Sequence, residues 1–318
     1  MDLEMVLNEL SLRTSADDIP TARQLMSELL NTVRTATSHG VKKVIRTHSD
    51  FQSTILAPEY PVARWRNDNE VDREARRFFL TLITKAPFLA DVSDPKLEDA
   101  VNLSEFKHQG ISASGLGIAY LLETLALSLL SEQCWDYSRL QMDFTRLDEN
   151  GDLIDEIIEI IHASRGTHLK QHVDWIKNRI RTGVSDGIEL WNRREELFPN
   201  LEFCDAVNKQ LQDIRAGQLE LQPVVKALFE LQNCCKSWNT GAFSVEKYPM
   251  EESGESEATL NKYRKERTFR CPDGKERLFE RHVKLRICNW RIHFFPEKPG
   301  KVIIGYVGRH LPTLKYRT

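Results

Sequence analysis

A chain of 318 residues, 41% apolar and 29% charged, is long enough for about two domains and rich enough in apolar side chains for packed cores, which excludes wholesale disorder. Its apolar runs are interrupted before they reach the ~20 residues of a membrane span, and residues 1–12 carry acids where a signal peptide has a basic stretch, so a cytoplasmic protein without membrane association is expected. The net charge of −3 hides a segregation: residues 262–318 hold 16 Lys plus Arg against 5 Asp plus Glu, a balance of +11, which leaves −14 for residues 1–261. A basic segment of this kind points to a polyanionic partner.

Taken in chain order, Asp17 or Asp18 before Pro20, Leu25, Leu29 and Val33 at helical spacing, and Gly40 beyond them predict a helix over 20–38. A β-branched stretch follows at Val41, Val44 and Ile45, and Asp68 can cap a helix over 71–85. The apolar stretch 112–131 reads as a central core helix, and 136–147 alternates as a strand. Helices are then predicted over 155–163, 168–181, 188–197, 202–216 and 219–238. The stretch 239–257, with Glu251, Glu252, Glu255 and Glu257 and few apolar residues, reads as a linker. Beyond it come a short helix over 258–266, a tight turn at Pro272, Asp273 and Gly274, and β-like runs over 277–285, 290–295 and 301–307. The expected fold class is α+β: a mainly α-helical acidic domain over 1–215, a helix and acidic linker over 216–255, and a small antiparallel β-rich basic module over 256–318.

Alternation assigns faces within that module. Phe279, Val283 and Leu285 point one way, and Glu280, His282 and Lys284 the other. Trp290, Ile292 and Phe294 oppose Arg291 and His293, while Val302, Ile304 and Tyr306 alternate with Ile303 and Val307. Arg309 and His310 follow the last run. The predicted sheet has one apolar face and one face of His, Lys and Arg. Such a face suits RNA, because cations neutralise phosphates and imidazoles move protons near neutral pH. Cleavage without metal needs a base for the 2′-OH, cations around the phosphorane and an acid for the leaving oxygen. His282, His293 and His310 are candidates for base and acid, Lys284, Arg291 and Arg309 for the cationic clamp, and Tyr306 for orienting the phosphate. Arg264, Lys265, Arg267, Arg270, Arg281 and Arg286, with Lys284 and Arg291, form the candidate nucleic-acid surface. With no carboxylate cluster assigned to the polar face, metal-independent chemistry without a cofactor is expected.

The order "FERHVKL", "WRIHFF", a short hairpin and "KVIIGYVGRHL", over about 270–314, resembles the terminal strands of RelE/ParE-like toxins. That superfamily consists mostly of small, metal-independent endoribonucleases that cut mRNA, often on the ribosome, while the ParE branch inhibits gyrase; two helices usually precede the sheet. The resemblance implies that Lys284, Arg291, Tyr306 and Arg309 occupy working positions, that the target is RNA such as ribosome-bound mRNA, and that a separate neutralising protein covers the basic face. In this chain the acidic stretch at 251–257 suggests masking in cis.

Other patterns are weaker. Six cysteines show no CxxC spacing; a zinc site from Cys234, Cys271, Cys288 and His293 is conceivable, but reduced buried thiols fit better. His168 and His172 have the i, i+4 spacing of metal-binding helices, yet Lys170 lies between them and a surface helix is the plainer reading. Gly115-Leu116-Gly117 lacks the rest of a nucleotide loop. Arg64, Trp65, Arg66, Arg73, Arg76 and Arg77 form a basic cluster that either stacks on nucleic acid or pairs with acids. The rival to an RNA-acting toxin or defence-type effector is a non-catalytic interaction protein whose basic sheet docks nucleic acid or an acidic partner.

Overall fold

Met5, Val6 and Leu7 are all buried, as in a strand covered on both faces. In the computed structural model, which describes residues 3–47, 51–83, 104–147 and 152–314, they form β1 (Met5–Leu7). The chain divides into two units, Asp2–Gly183 and Val184–Thr318.

The first unit continues with α1 (Ile19–Ser38), capped by Asp18 accepting from the Thr21 N–H, then β2 (Ile45–Arg46), β3 (Ile55–Ala57), β4 (Tyr60–Pro61), α2 (Val62–Trp65) and α3 (Arg73–Ile83). Residues 84 and 85 of the predicted second helix lie outside the described residues. There follow β5 (Ser104–His108), β6 (Ile111–Ser112), α4 (Ser114–Leu121), β7 (Leu125–Leu127), β8 (Arg139–Leu147), β9 (Leu153–Ala163) and α5 (Val173–Arg181). Seven strands form one mixed sheet in the order β2-β1-β7-β9-β8-β5-β6. The first four are parallel and the last three antiparallel. Met26, Leu29, Leu30 and Val33 of α1 share one buried core with Met5, Leu7, Leu125 and Leu127.

The expected helical N-terminal domain is therefore wrong: the first unit is α/β, built on a seven-stranded sheet. Two misread segments explain it. The predicted helix over 112–131 ends at Leu121, Glu123 turns with φ 47°, and the fully buried Leu125–Leu127 is a parallel strand. A strand covered on both faces has the same composition as a buried helix. Likewise Ile154, Ile157, Ile158 and Ile161 have helical spacing, but the segment is β9, with Ile158, Ile160 and His162 buried while Leu153 and Ile157 are 70% and 74% exposed.

The second unit comprises α6 (Gly187–Asn192), α7 (Arg194–Leu197), β10 (Leu201–Phe203), α8 (Asp205–Gln212), α9 (Leu221–Ser237), β11 (Glu252–Gly254), α10 (Glu257–Tyr263), β12 (Thr268–Arg270), β13 (Glu276–Leu278), β14 (Arg281–Leu285), β15 (Trp290–Lys298) and β16 (Lys301–Arg309). Its sheet runs β10-β16-β15-β14-β11, with β10 parallel to β16 and the other pairs antiparallel. The predicted boundaries at 215 and 255 do not separate the units. Residues 202 and 203, expected to start a helix, belong to β10 beside β16, and part of the expected linker is the opposite edge strand, β11. Asn200 helps hold β10 in place: its Nδ2 donates to the Gly300 carbonyl at 2.9 Å, and its Oδ1 accepts from Gln232 Nε2 of α9 at 2.7 Å. Leu228 and Leu231 of α9 join Ile292, Phe294 and Val307 in the core beneath the apolar face. Counted over Val184–Thr318, 23 Lys plus Arg meet 19 Asp plus Glu, so the sharp segregation in the sequence lies largely within one unit.

Candidate functional site

Strand register brings the polar residues into rows. Ser253, His282, His293 and Tyr306 are successive partners across β11, β14, β15 and β16, and Lys284, Arg291 and Gly308 form the next row. This face is not open to solvent as alternation alone implied: His282 is 6% exposed, and His293 and Arg291 are each 1% exposed. The β12–β13 hairpin supplies part of the cover. It turns at Gly274, whose φ of 81° suits glycine. Phe269 on β12 stacks on Tyr306 with ring centres 6.1 Å apart, and Phe279 meets Phe269 edge-on at 5.3 Å. Gly305 allows this approach, since a Cβ there would lie 2.7 Å from both phenylalanine rings.

Beneath the cover, Glu255 follows β11 and reaches Arg267 and His282. Its Oε1 lies 2.8 Å from Arg267 Nε and 3.6 Å from His282 Nδ1. Arg267 is fully buried, and its Nη2 also donates to the Pro312 carbonyl at 2.9 Å. The His282 and His293 rings are 5.0 Å apart, and the Tyr306 ring stands 5.8 Å beyond His293. His293 Nδ1 lies 3.2 Å from the Phe279 carbonyl, which can only accept, so that nitrogen carries the proton. Burial pushes the His282 imidazole down to about 4, with Lys284, His310 and Arg267 adding to the effect. Burial holds His293 well below its ordinary range and lowers His310. It also lowers Arg291 to about 10 and raises Tyr306. His282 and His293 are therefore neutral at pH 7, able to accept a proton or a metal but not to donate as imidazolium.

The predicted cations fall into distinct groups. Arg267, Arg281 and Arg286 are paired with Glu255, Glu252 and Glu251, respectively. Arg281 also lies over the rings of Phe243 and Phe294 at 5.1 and 5.2 Å. Arg291 is buried, and one of its Nη groups donates to the Trp290 carbonyl at 2.8 Å. Arg264, Lys265, Arg270 and Arg309 are exposed and Lys284 is half-buried; among the described residues none of these five has a carboxylate at ion-pair distance. His310 is half-buried, with Nδ1 2.6 Å from the Leu311 carbonyl. Sequence reasoning missed Glu255 and Ser253 as neighbours of the histidines, because both lay in the acidic stretch taken for a linker.

The weaker candidates resolve differently. Trp65 is 1% exposed and packs edge-on against Phe79 at 5.3 Å, so it is not a stacking platform for nucleic acid. His172 is buried, with Nε2 2.7 Å from the Ser138 carbonyl, while His168 lies 3.3 Å from Asp136. In the first unit Asn8 Nδ2 donates to Ser128 Oγ at 3.0 Å, and Ser128 Oγ lies 2.7 Å from His162 Nε2. The other His162 nitrogen faces the Tyr137 carbonyl at 2.6 Å. All three side chains are wholly buried, which makes this a core network closed to substrate. All six cysteines are free thiols.

No protein-family model matches the chain, nor does any curated protein or solved structure. Among the described residues no helix is long and apolar enough to cross a membrane.

Proposed function

We propose that the second unit engages RNA through its phosphates and that the chain acts as a cytoplasmic toxin or defence-type effector of RelE-like character. The observation carrying this reading is the set of five cations, Arg264, Lys265, Arg270, Lys284 and Arg309, without carboxylate partners among the described residues of a unit where neighbouring arginines are paired. Unpaired surface cations are available to release counterions from a nucleic acid. The helices α9 and α10, over the two stretches that the resemblance sets before the sheet, precede the antiparallel β14–β16 and accord with it. Cleavage would use the His282–His293–Tyr306 row, and the hairpin over it would have to move, since a buried imidazole cannot meet a 2′-OH.

The test is fluorescence anisotropy of the full chain with labelled single-stranded RNA. Arg264→Gln, Lys265→Gln and Arg270→Gln together are expected to weaken binding and lower the salt dependence by about 0.7 units of slope per lost contact. Absence of RNA binding at low salt, or an unchanged slope in the triple variant, would overturn the reading in favour of an acidic protein surface as partner.

A further inference from the structure

Glu255, His282 and His293 each bring one ligating atom into a shared space beneath the β12–β13 hairpin, and these three atoms all lie within 4.8 Å of one another. Two independent features point to a ligand at this place. His282 Nδ1 is buried and makes no hydrogen bond, although its side chain is only 7% exposed. A buried polar atom left without a partner costs about 1–3 kcal/mol. His293, in turn, has its proton fixed on Nδ1 by the Phe279 carbonyl, which leaves the Nε2 lone pair available. A carbonyl behind one ring nitrogen is the arrangement that orients metal-bound imidazoles.

We propose that Glu255, His282 and His293 form a three-ligand site for a transition-metal dication of the zinc, cobalt or nickel class, with a fourth position open to water. Two imidazoles and one carboxylate suit these borderline ions and not magnesium or calcium, which prefer oxygen. Bonds of about 2.0–2.1 Å place tetrahedral ligands roughly 3.4 Å apart, so the three atoms need to close by little more than 1 Å. Both imidazoles are already neutral, so no proton must leave before an ion binds. Arg267 opposes the ion by its charge and by its contact with Glu255 Oε1. A carboxylate has two oxygens, however, and can serve the guanidinium with one and the metal with the other. The expectation of metal-independent chemistry rested on a polar face without a carboxylate cluster; Glu255 beside two histidines supplies a ligand set that this premise did not consider. The site stands independently of the RNA reading, since a metal here would equally serve a structural role.

The full chain, stripped with chelator, is titrated with cobalt(II). The expected result is the visible absorption of four- or five-coordinate cobalt saturating at a single equivalent, displaced by zinc, with a rise in the thermal midpoint. Glu255→Gln and His282→Gln should each abolish the band, while His168→Gln should leave it. A wild-type protein with neither a saturable band nor a zinc-dependent thermal shift overturns the proposal without recourse to any variant. A band that persists in both site variants overturns it too, by placing the ion elsewhere.

Discussion

Replacing Gly305 by alanine tests whether the hairpin truly seals the polar face. The added Cβ would lie 2.7 Å from Phe269 Cδ2 and 2.7 Å from Phe279 Cδ1 and Cε1. Carbon atoms pack best at about 3.5–4.0 Å, so roughly 1 Å must be recovered on two sides. Phe279 is wholly buried and its carbonyl holds His293, whereas Phe269 is only partly buried on the two-stranded hairpin. The hairpin is therefore the part expected to yield. Overpacking of this kind costs about 1–3 kcal/mol, and with two rings obstructing one methyl the expected loss is about 2 kcal/mol. Urea unfolding followed by circular dichroism and tryptophan fluorescence measures it, since Trp191, Trp238 and Trp290 report on the second unit. Phe269→Ala removes one obstruction, so the double variant should lose at least about 1 kcal/mol less than the sum of the single losses. A Gly305→Ala protein within about 0.5 kcal/mol of wild type, or strictly additive losses, would refute the packing argument.

RNA affinity should fall with salt at a log–log slope of about −3 to −4, from five cations at ~0.7 each on a single strand, and a flat titration would deny phosphate contact. Glu251→Gln with Glu252→Gln should remove the carboxylates that neutralise Arg286 and Arg281 and tighten RNA binding a few-fold, given that exposed pairs are worth ~0–1 kcal/mol; an unchanged Kd would place both arginines outside the interface. In the first unit, burial holds the His162 imidazole down at about 3, against ~6.5 when unfolded. The unfolded chain therefore takes up a proton that the native state refuses, and stability complete above pH ~6.5 drains as pH falls toward 3. At pH 4.5 the loss is about 2–3 kcal/mol, and thermal midpoints at pH 7 and 4.5 should differ less in His162→Asn; the same pH dependence in both proteins would exonerate His162.

Much of the second unit was legible because its signals are local. Helix α9, the turn at Gly274, the β15–β16 hairpin closing at Gly300 and the assignment of His282 and His293 to one face all follow from spacing and turn chemistry. The first unit was legible chiefly at α1, where Asp18 and Pro20 mark the start. What failed depended on remote partners. The isoleucines of β9 satisfy helical spacing, and only pairing with β7 and β8 decides for a strand. Leu201–Phe203 is a strand because β16 offers an edge to it. Alternation placed the histidines on a common face but carried no information about the hairpin covering it, or about Glu255 reaching in from a stretch whose composition resembled a linker.

The pairing of Leu201 with Val302 also has a temporal consequence. β16 sits between β10 and β15, so the sheet cannot close until residues 301–309 have been synthesised. At ~5–20 residues per second, β10 and the apolar side of α9 wait on the order of 5–20 s for their partner. During that interval the second unit lacks the strand that joins β10 to β15, and its unsatisfied apolar surfaces are open to a chaperone. Whatever this unit does is thereby withheld until β16 has been synthesised. A fragment beginning at residue 256 would lack β10, α8 and α9, and its silence in a cell would report missing structure and not missing function.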